Sequence, residues 1–187
     1  MVRRTKGVDI RTSGSGNVGA MNAFEVTNSK RIGIMVLLGD LLKGTIAVVV
    51  GFLIFGSSNQ TAIGIISVAV VLGHNYPVWL RFKGGRGLST AAGVMLVMNW
   101  VFVALWCALW GILYKLMKDI HRANIIASFA SPLILFLLPR NILDVTLPRF
   151  VLPETALYVS FSICALILLR HTEQLRLMFS SFHQSSK

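Results

Sequence analysis

Residues 73–93, GHNYPVWLRFKGGRGLSTAAG, gather His74, Arg81, Lys83, Arg86, Ser89 and Thr90 around Gly84, Gly85 and Gly87, with apolar sequence on either side. Adjacent glycines between cations let a backbone turn tightly and approach a ligand closely. Consecutive N–H groups in such a turn form an anion-binding concavity, and Lys83 and Arg86 add positive charge. Ser89 and Thr90 then open a helical stretch, whose positive N-terminal end points at the same spot. The chemistry this pattern suits is the holding of a phosphate at a membrane surface. The plainer alternative is a cytoplasmic loop made basic by topology and supple by glycine.

A second cluster precedes it. SGSGNVGAMN, residues 13–22, interleaves Gly14, Gly16 and Gly19 with Ser13, Ser15, Asn17 and Asn22. This is either another phosphate loop or a polar linker. GDLLKG, residues 39–44, places Asp40 and Lys43 three apart on one helix face, inside an apolar run. Ionisable groups there usually face a bundle interior or a wet cavity, so the pair either braces the site or is a structural ion pair. Ser128 and Ser131 stand one helical turn apart in SFAS and serve either interhelical hydrogen bonds or the phosphate site. Arg170-His171-Thr172-Glu173 closes the last apolar stretch.

The elements that must position these groups are membrane helices. Of 187 residues, 55% are hydrophobic and 13% charged, and the mean hydropathy is +0.71. That composition excludes an ordinary soluble domain. The net charge of +11 belongs to loops between apolar spans, which points to topology, anionic lipid and phosphate substrates rather than to nucleic acid. Cys107 and Cys164 lie inside apolar stretches with no metal-ligand spacing. The basic segment 1–31 is expected in the cytoplasm, a helical bundle over 32–170, and a polar cytoplasmic tail over 171–187, all one domain.

Within the bundle the spans are expected at 32–55, 61–80, 124–138 and 151–169, with external connections at 56–60 and 139–150. Pro77 disfavours helix at Tyr76, so the second span should break there. The apolar stretch 88–114 is 27 residues long. As a single helix it would put Lys115, Lys118 and Arg122 outside. Two short helices with a break near Asn99-Trp100 return that basic loop inside, provided the break is buried in protein. The expected fold is thus all-α and polytopic, with about six membrane segments including a helical hairpin.

In this order and spacing the motifs GSGNVGAMN, GDLLKG, GHNYPVWLRFKGGRGLSTAAG, SFAS and RHTEQ resemble the bacterial acyl-phosphate:glycerol-3-phosphate acyltransferases, the PlsY-type membrane enzymes, over nearly the whole chain. The resemblance implies transfer of an acyl chain from acyl phosphate to the 1-hydroxyl of glycerol 3-phosphate in the bacterial cytoplasmic membrane, giving lysophosphatidic acid and phosphate without a metal or other cofactor. By the resemblance Ser15, Gly16, Asn17, Gly19 and Asn22 match the first motif. His74, Pro77, Lys83, Gly84, Gly85, Gly87 and Thr90 match the second, Ser128 and Ser131 the third, and Arg170, His171 and Glu173 the last. Ser15, Asn17, His74 and Lys83 are the implied catalytic groups, and Lys43 and Arg86 join the phosphate site. His74 acts as a base or as a structural group. Oligomeric state is left open, a monomer included.

Four departures from the family pattern bear on activity. Met21 replaces Thr, Glu25 reverses the charge of an Arg, GGRG replaces GGKG through Arg86, and Gln174 replaces Asn. The family also begins with an apolar helix that is not seen ahead of the first motif here, so this chain is either truncated or lacks that helix, and supplies six of seven. Two rival functions are a catalytically impaired relative that binds acyl phosphate or lipid headgroups, and a small membrane transporter.

Overall fold

Lys30–Phe55 contains no proline and is apolar on all sides, which is the composition of a helix exposed to lipid rather than of one with a single buried stripe. In the computed structural model, which describes residues 7–172 and 174–176, it forms one continuous helix, α2, ended by Gly56 at φ 70°. A short helix, α1 (Ala20–Thr27), precedes it. The chain returns in α3 (Gln60–Asn75), which stops at Tyr76-Pro77 as the proline requires.

The hairpin is present. Its first arm, α4 (Leu88–Met98), has 11 residues. Its second, α5 (Trp100–Met117), has 18 and is long enough to cross a membrane, where two half-spanning arms were expected. Asn99 makes the break. It is extended at φ −162°, and its Oδ1 accepts from the Phe102 N–H to cap α5. The residue is fully buried, which meets the condition for irregular backbone at membrane depth.

Lys118, left-handed at φ 53°, and Asp119 turn the chain into α6 (Ile120–Leu137). Asp119 Oδ1 accepts from the N–H groups of His121 and Arg122 and caps the helix. The connection at 139–150 holds a short helix, α7 (Arg140–Thr146). The last span is α8 (Pro153–Leu169).

Six of these helices are apolar: α2, α5 and α6 at spanning length, α3 at spanning length when taken on to Leu80, and α4 and α8 shorter. Val48, Val94, Met95, Met98, Val159 and Ile163 fill the centre, while Leu53, Ile54, Leu116 and Leu137 project outward as side chains facing lipid do. Where α2 crosses α4 the backbones touch. A methyl group on Gly93 would overlap the Leu41 carbonyl, one on Gly44 the Thr90 carbonyl, and Thr45 Oγ1 donates to the Gly93 carbonyl at 3.0 Å. Small residues give helices in lipid this approach, and it brings the α2 turn that carries Asp40 and Lys43 against α4.

Candidate active site

After Pro77 the chain makes one 3₁₀ turn, Val78–Leu80, then passes through two left-handed residues, Arg81 (φ 52°) and Phe82 (φ 61°). It doubles back on the end of α3, where the Gly84 N–H donates to the Asn75 carbonyl and the Gly85 N–H to the His74 carbonyl, both at 3.2 Å. A methyl on Gly84 would overlap the His74 carbonyl, and one on Gly85 the His74 ring. The glycines are therefore needed for close approach, but to α3 and not to a ligand. The expected cradle of Gly84 and Gly85 amides is corrected, because both N–H groups are spent on the helix end.

Arg170, just past α8, holds the outer face of this turn. Its Nε donates to the Gly85 carbonyl at 3.1 Å and its Nη2 to the Gly84 carbonyl at 2.8 Å. The guanidinium carbon lies 5.2 Å from the centre of the Tyr76 ring. Expected at the phosphate, Arg170 clamps the loop. His171 beside it is wholly buried, with Nδ1 on the Ile167 carbonyl at 2.8 Å. Glu173 lies outside the described residues.

The cavity opens one step further on. Gly87, at φ 86°, is the N-cap of α4 and leaves the first turn without a side-chain cap. The orphan N–H groups of that turn keep their positive end. Gly87, Leu88 and Ser89 line a cavity of about 760 Å³ together with Arg86, whose Nη1 donates to His121 Nδ1 at 3.1 Å. Lys83 is exposed and does not line this cavity. Arg86 is the cation of the glycine loop that does. Thr90 is fully buried beneath.

Across the cavity α2 contributes Asp40. Lys43 Nζ donates to Asp40 Oδ1 at 2.7 Å and to His74 Nδ1, and His74 Nδ1 lies 3.5 Å from the same carboxylate oxygen. Lysine has donors only, so Nδ1 accepts and the His74 proton sits on Nε2, against Gly85. The pair inside the span is thus part of the site: it fixes the histidine that anchors the glycine turn.

The first loop is organised by Asn22. Its Nδ2 donates to the carbonyls of Ile10, Ser13 and Asn17, and its Oδ1 accepts from the Ser15 N–H at 2.9 Å. The side chain is 1% exposed, so it shapes the loop from within rather than meeting a ligand. Asn17 and Gly19, which it supports, line the cavity. The Gly16 N–H closes a turn on the Ser13 carbonyl, and Ser15 stands exposed on that turn. Glu25, on α1, is exposed and outside the cavity lining.

Ser128 Oγ accepts from Trp106 Nε1 at 3.1 Å, and Ser131 Oγ donates to the Ala127 carbonyl. These hydroxyls serve helix packing. The polar face of α6 in the cavity is His121 and Asn124 instead, two turns closer to the N-terminus. Sequence reasoning singled out neither; starting this helix at residue 124 left His121 in the loop, and the Asp119 cap signal would have brought it onto the helix. Trp106 and Trp110 form the apolar wall, continued as a stacked ladder to Tyr114 at centroid spacings of 6.3 and 5.3 Å. The cavity therefore joins a cationic, donor-rich end to an aromatic wall. It suits a molecule with an anionic head and an apolar tail.

The family model described as glycerol-3-phosphate acyltransferase matches residues 1–181. A glycerol-3-phosphate acyltransferase of Nitrobacter winogradskyi is 34% identical over 172 residues, covering 92% of this chain and 79% of that protein. One of Ehrlichia chaffeensis is 32% identical, over 92% and 80%. The crystal structure of PlsY (YgiH), an integral membrane glycerol 3-phosphate acyltransferase, in its glycerol 3-phosphate form superposes with a TM-score of 0.77 at 31% identity, over 96% of this chain and 83% of that one. Its lysophosphatidic acid form gives 0.78. Motif order, helical frame and these likenesses agree, and this integral membrane chain belongs to the glycerol-3-phosphate acyltransferase family.

Proposed function

We propose that the chain transfers an acyl group from acyl phosphate to the 1-hydroxyl of glycerol 3-phosphate, at the cytoplasmic face of a bacterial cytoplasmic membrane. The observation that carries this reading is the cavity itself, which sets an uncapped helix N-terminus and Arg86 opposite an aromatic wall. The glycerol 3-phosphate and lysophosphatidic acid forms of PlsY support the acceptor and the product. The excess of Lys and Arg in 1–31, 81–86 and 115–122 supports the cytoplasmic side.

An acyl phosphate is already activated, so the protein's task is to align two anions and stabilise the charge of the departing one. The 1-hydroxyl oxygen bonds to the acyl carbon, the bond from that carbon to the phosphate oxygen breaks, and the hydroxyl proton passes to the leaving phosphate. Arg86 and the first turn of α4 hold that phosphate. Asn17 and Gly19, which line the cavity, face the glycerol 3-phosphate. His74, its Nδ1 engaged by Lys43, anchors the loop. The acyl chain lies along Trp106, Trp110, Ile34 and Leu37.

Purified protein given acyl phosphate and glycerol 3-phosphate is expected to release lysophosphatidic acid and phosphate in equal amounts. Arg86→Ala should lower kcat by about 100-fold, as for loss of one prealigned donor, and Lys83→Ala by much less. Correctly inserted protein that yields no lysophosphatidic acid would sink the reading.

A further inference from the structure

We infer that His121 is a positioning residue that aims the Arg86 guanidinium into the cavity, so that arginine and histidine work as a matched pair. The inference rests on the reading of Arg86 as the phosphate cation. Arg86 has only donors, so His121 Nδ1 accepts from its Nη1 and carries its own proton on Nε2. The backbone that carries the ring is tied down: the His121 N–H donates to Asp119 Oδ1 at 2.8 Å, and Arg122 Nε pairs with the other carboxylate oxygen at 3.3 Å. Both side chains line the cavity.

A guanidinium is a planar fork of five donors. One arm can be tethered while the group as a whole stays turned toward an anion. An ammonium is a point charge on a flexible stem and gains no fixed orientation from one acceptor. GGRG in place of GGKG is therefore not a neutral exchange in this chain, because α6 supplies the acceptor that makes the fork useful. His121 enters no motif singled out from the sequence, and only the fold brings it 35 positions along the chain to Arg86.

The test uses the full-length protein in lipid nanodiscs, with two readouts: affinity for inorganic phosphate by calorimetry, and the kcat and KM of acyl transfer. His121→Leu should weaken phosphate binding and lower kcat roughly tenfold, the scale of a lost hydrogen bond to a charged group, with little change in the KM for glycerol 3-phosphate. His121→Asn, which keeps an acceptor near the Nδ1 position, should recover most of both. Arg86→Lys should cost about as much as His121→Leu, and the double variant no more than either, because the two substitutions break one interaction. Wild-type phosphate affinity and kcat in His121→Leu would overturn the inference, as would additive losses in the double variant, or His121→Asn as damaged as His121→Leu. If wild type makes no lysophosphatidic acid while phosphate affinity follows the expected pattern, the acyl-transfer reading fails and the positioning role stands.

Discussion

At Gly85 the His74 ring fills the space a side chain would need, and the same ring is held by Lys43 and Asp40 from the other side. An added methyl must move either the glycine turn or the histidine, against an overpacking cost of roughly 1–3 kcal/mol. Gly85→Ala is expected to lower turnover about tenfold or more while the protein stays inserted, and kcat compared in matched detergent extracts measures it. Turnover close to wild type would show that the contact is not needed. The sequence made the need for glycine legible, but not its partner. Two glycines between cations fit an anion nest and a tight turn on a helix end equally well, and only the hydrogen bonds of Gly84 and Gly85 decide between them. Asn22 shows the same limit. A buried asparagine that binds three carbonyls and an amide has the same composition signal as one that meets a phosphate.

The hairpin of α4 and α5 was legible because the cations at 115–122 had to return inward, and Asn99 supplied a break. The unequal arms were not, since one continuous apolar run carries no mark of where the membrane ends. The short α1 and α7 escaped for a similar reason. The N-cap of α1 is Gly19, with no side-chain cap, and α7 lies between prolines in a stretch that reads as a loop. A cysteine placed between Lys115 and Lys118 should label from the same side of oriented vesicles as one near Arg86, because Arg86 hydrogen-bonds His121 directly. Labelling from the opposite side would contradict the packing of α6 against the glycine loop.

At the scale of the molecule, the six apolar helices and their order follow from composition and charge, whereas the cavity depends on contacts between residues far apart in the chain. One buried group makes stability depend on pH. His171 lies beyond α8, and burial holds its pKa down to about 4, with Arg86, His121 and Arg170 pushing the same way against the Ile167 hydrogen bond. The unfolded chain takes up this proton near pH 6.5, which the folded state refuses. The contribution is therefore complete above pH 6.5 and is lost as pH falls toward 4, by on the order of 3 kcal/mol. Thermal unfolding in detergent should show the midpoint falling through that window, and His171→Gln should flatten the fall.

The clamp from Arg170 to Gly84 and Gly85 joins positions 85 and 86 residues apart. During synthesis the glycine turn leaves the ribosome well before its clamp exists, by roughly 4–17 seconds at ordinary elongation rates. Through that interval the nascent chain carries every residue of the turn but not the contact that fixes it. Until α8 has arrived, the order of the turn therefore rests on its own hydrogen bonds to the end of α3.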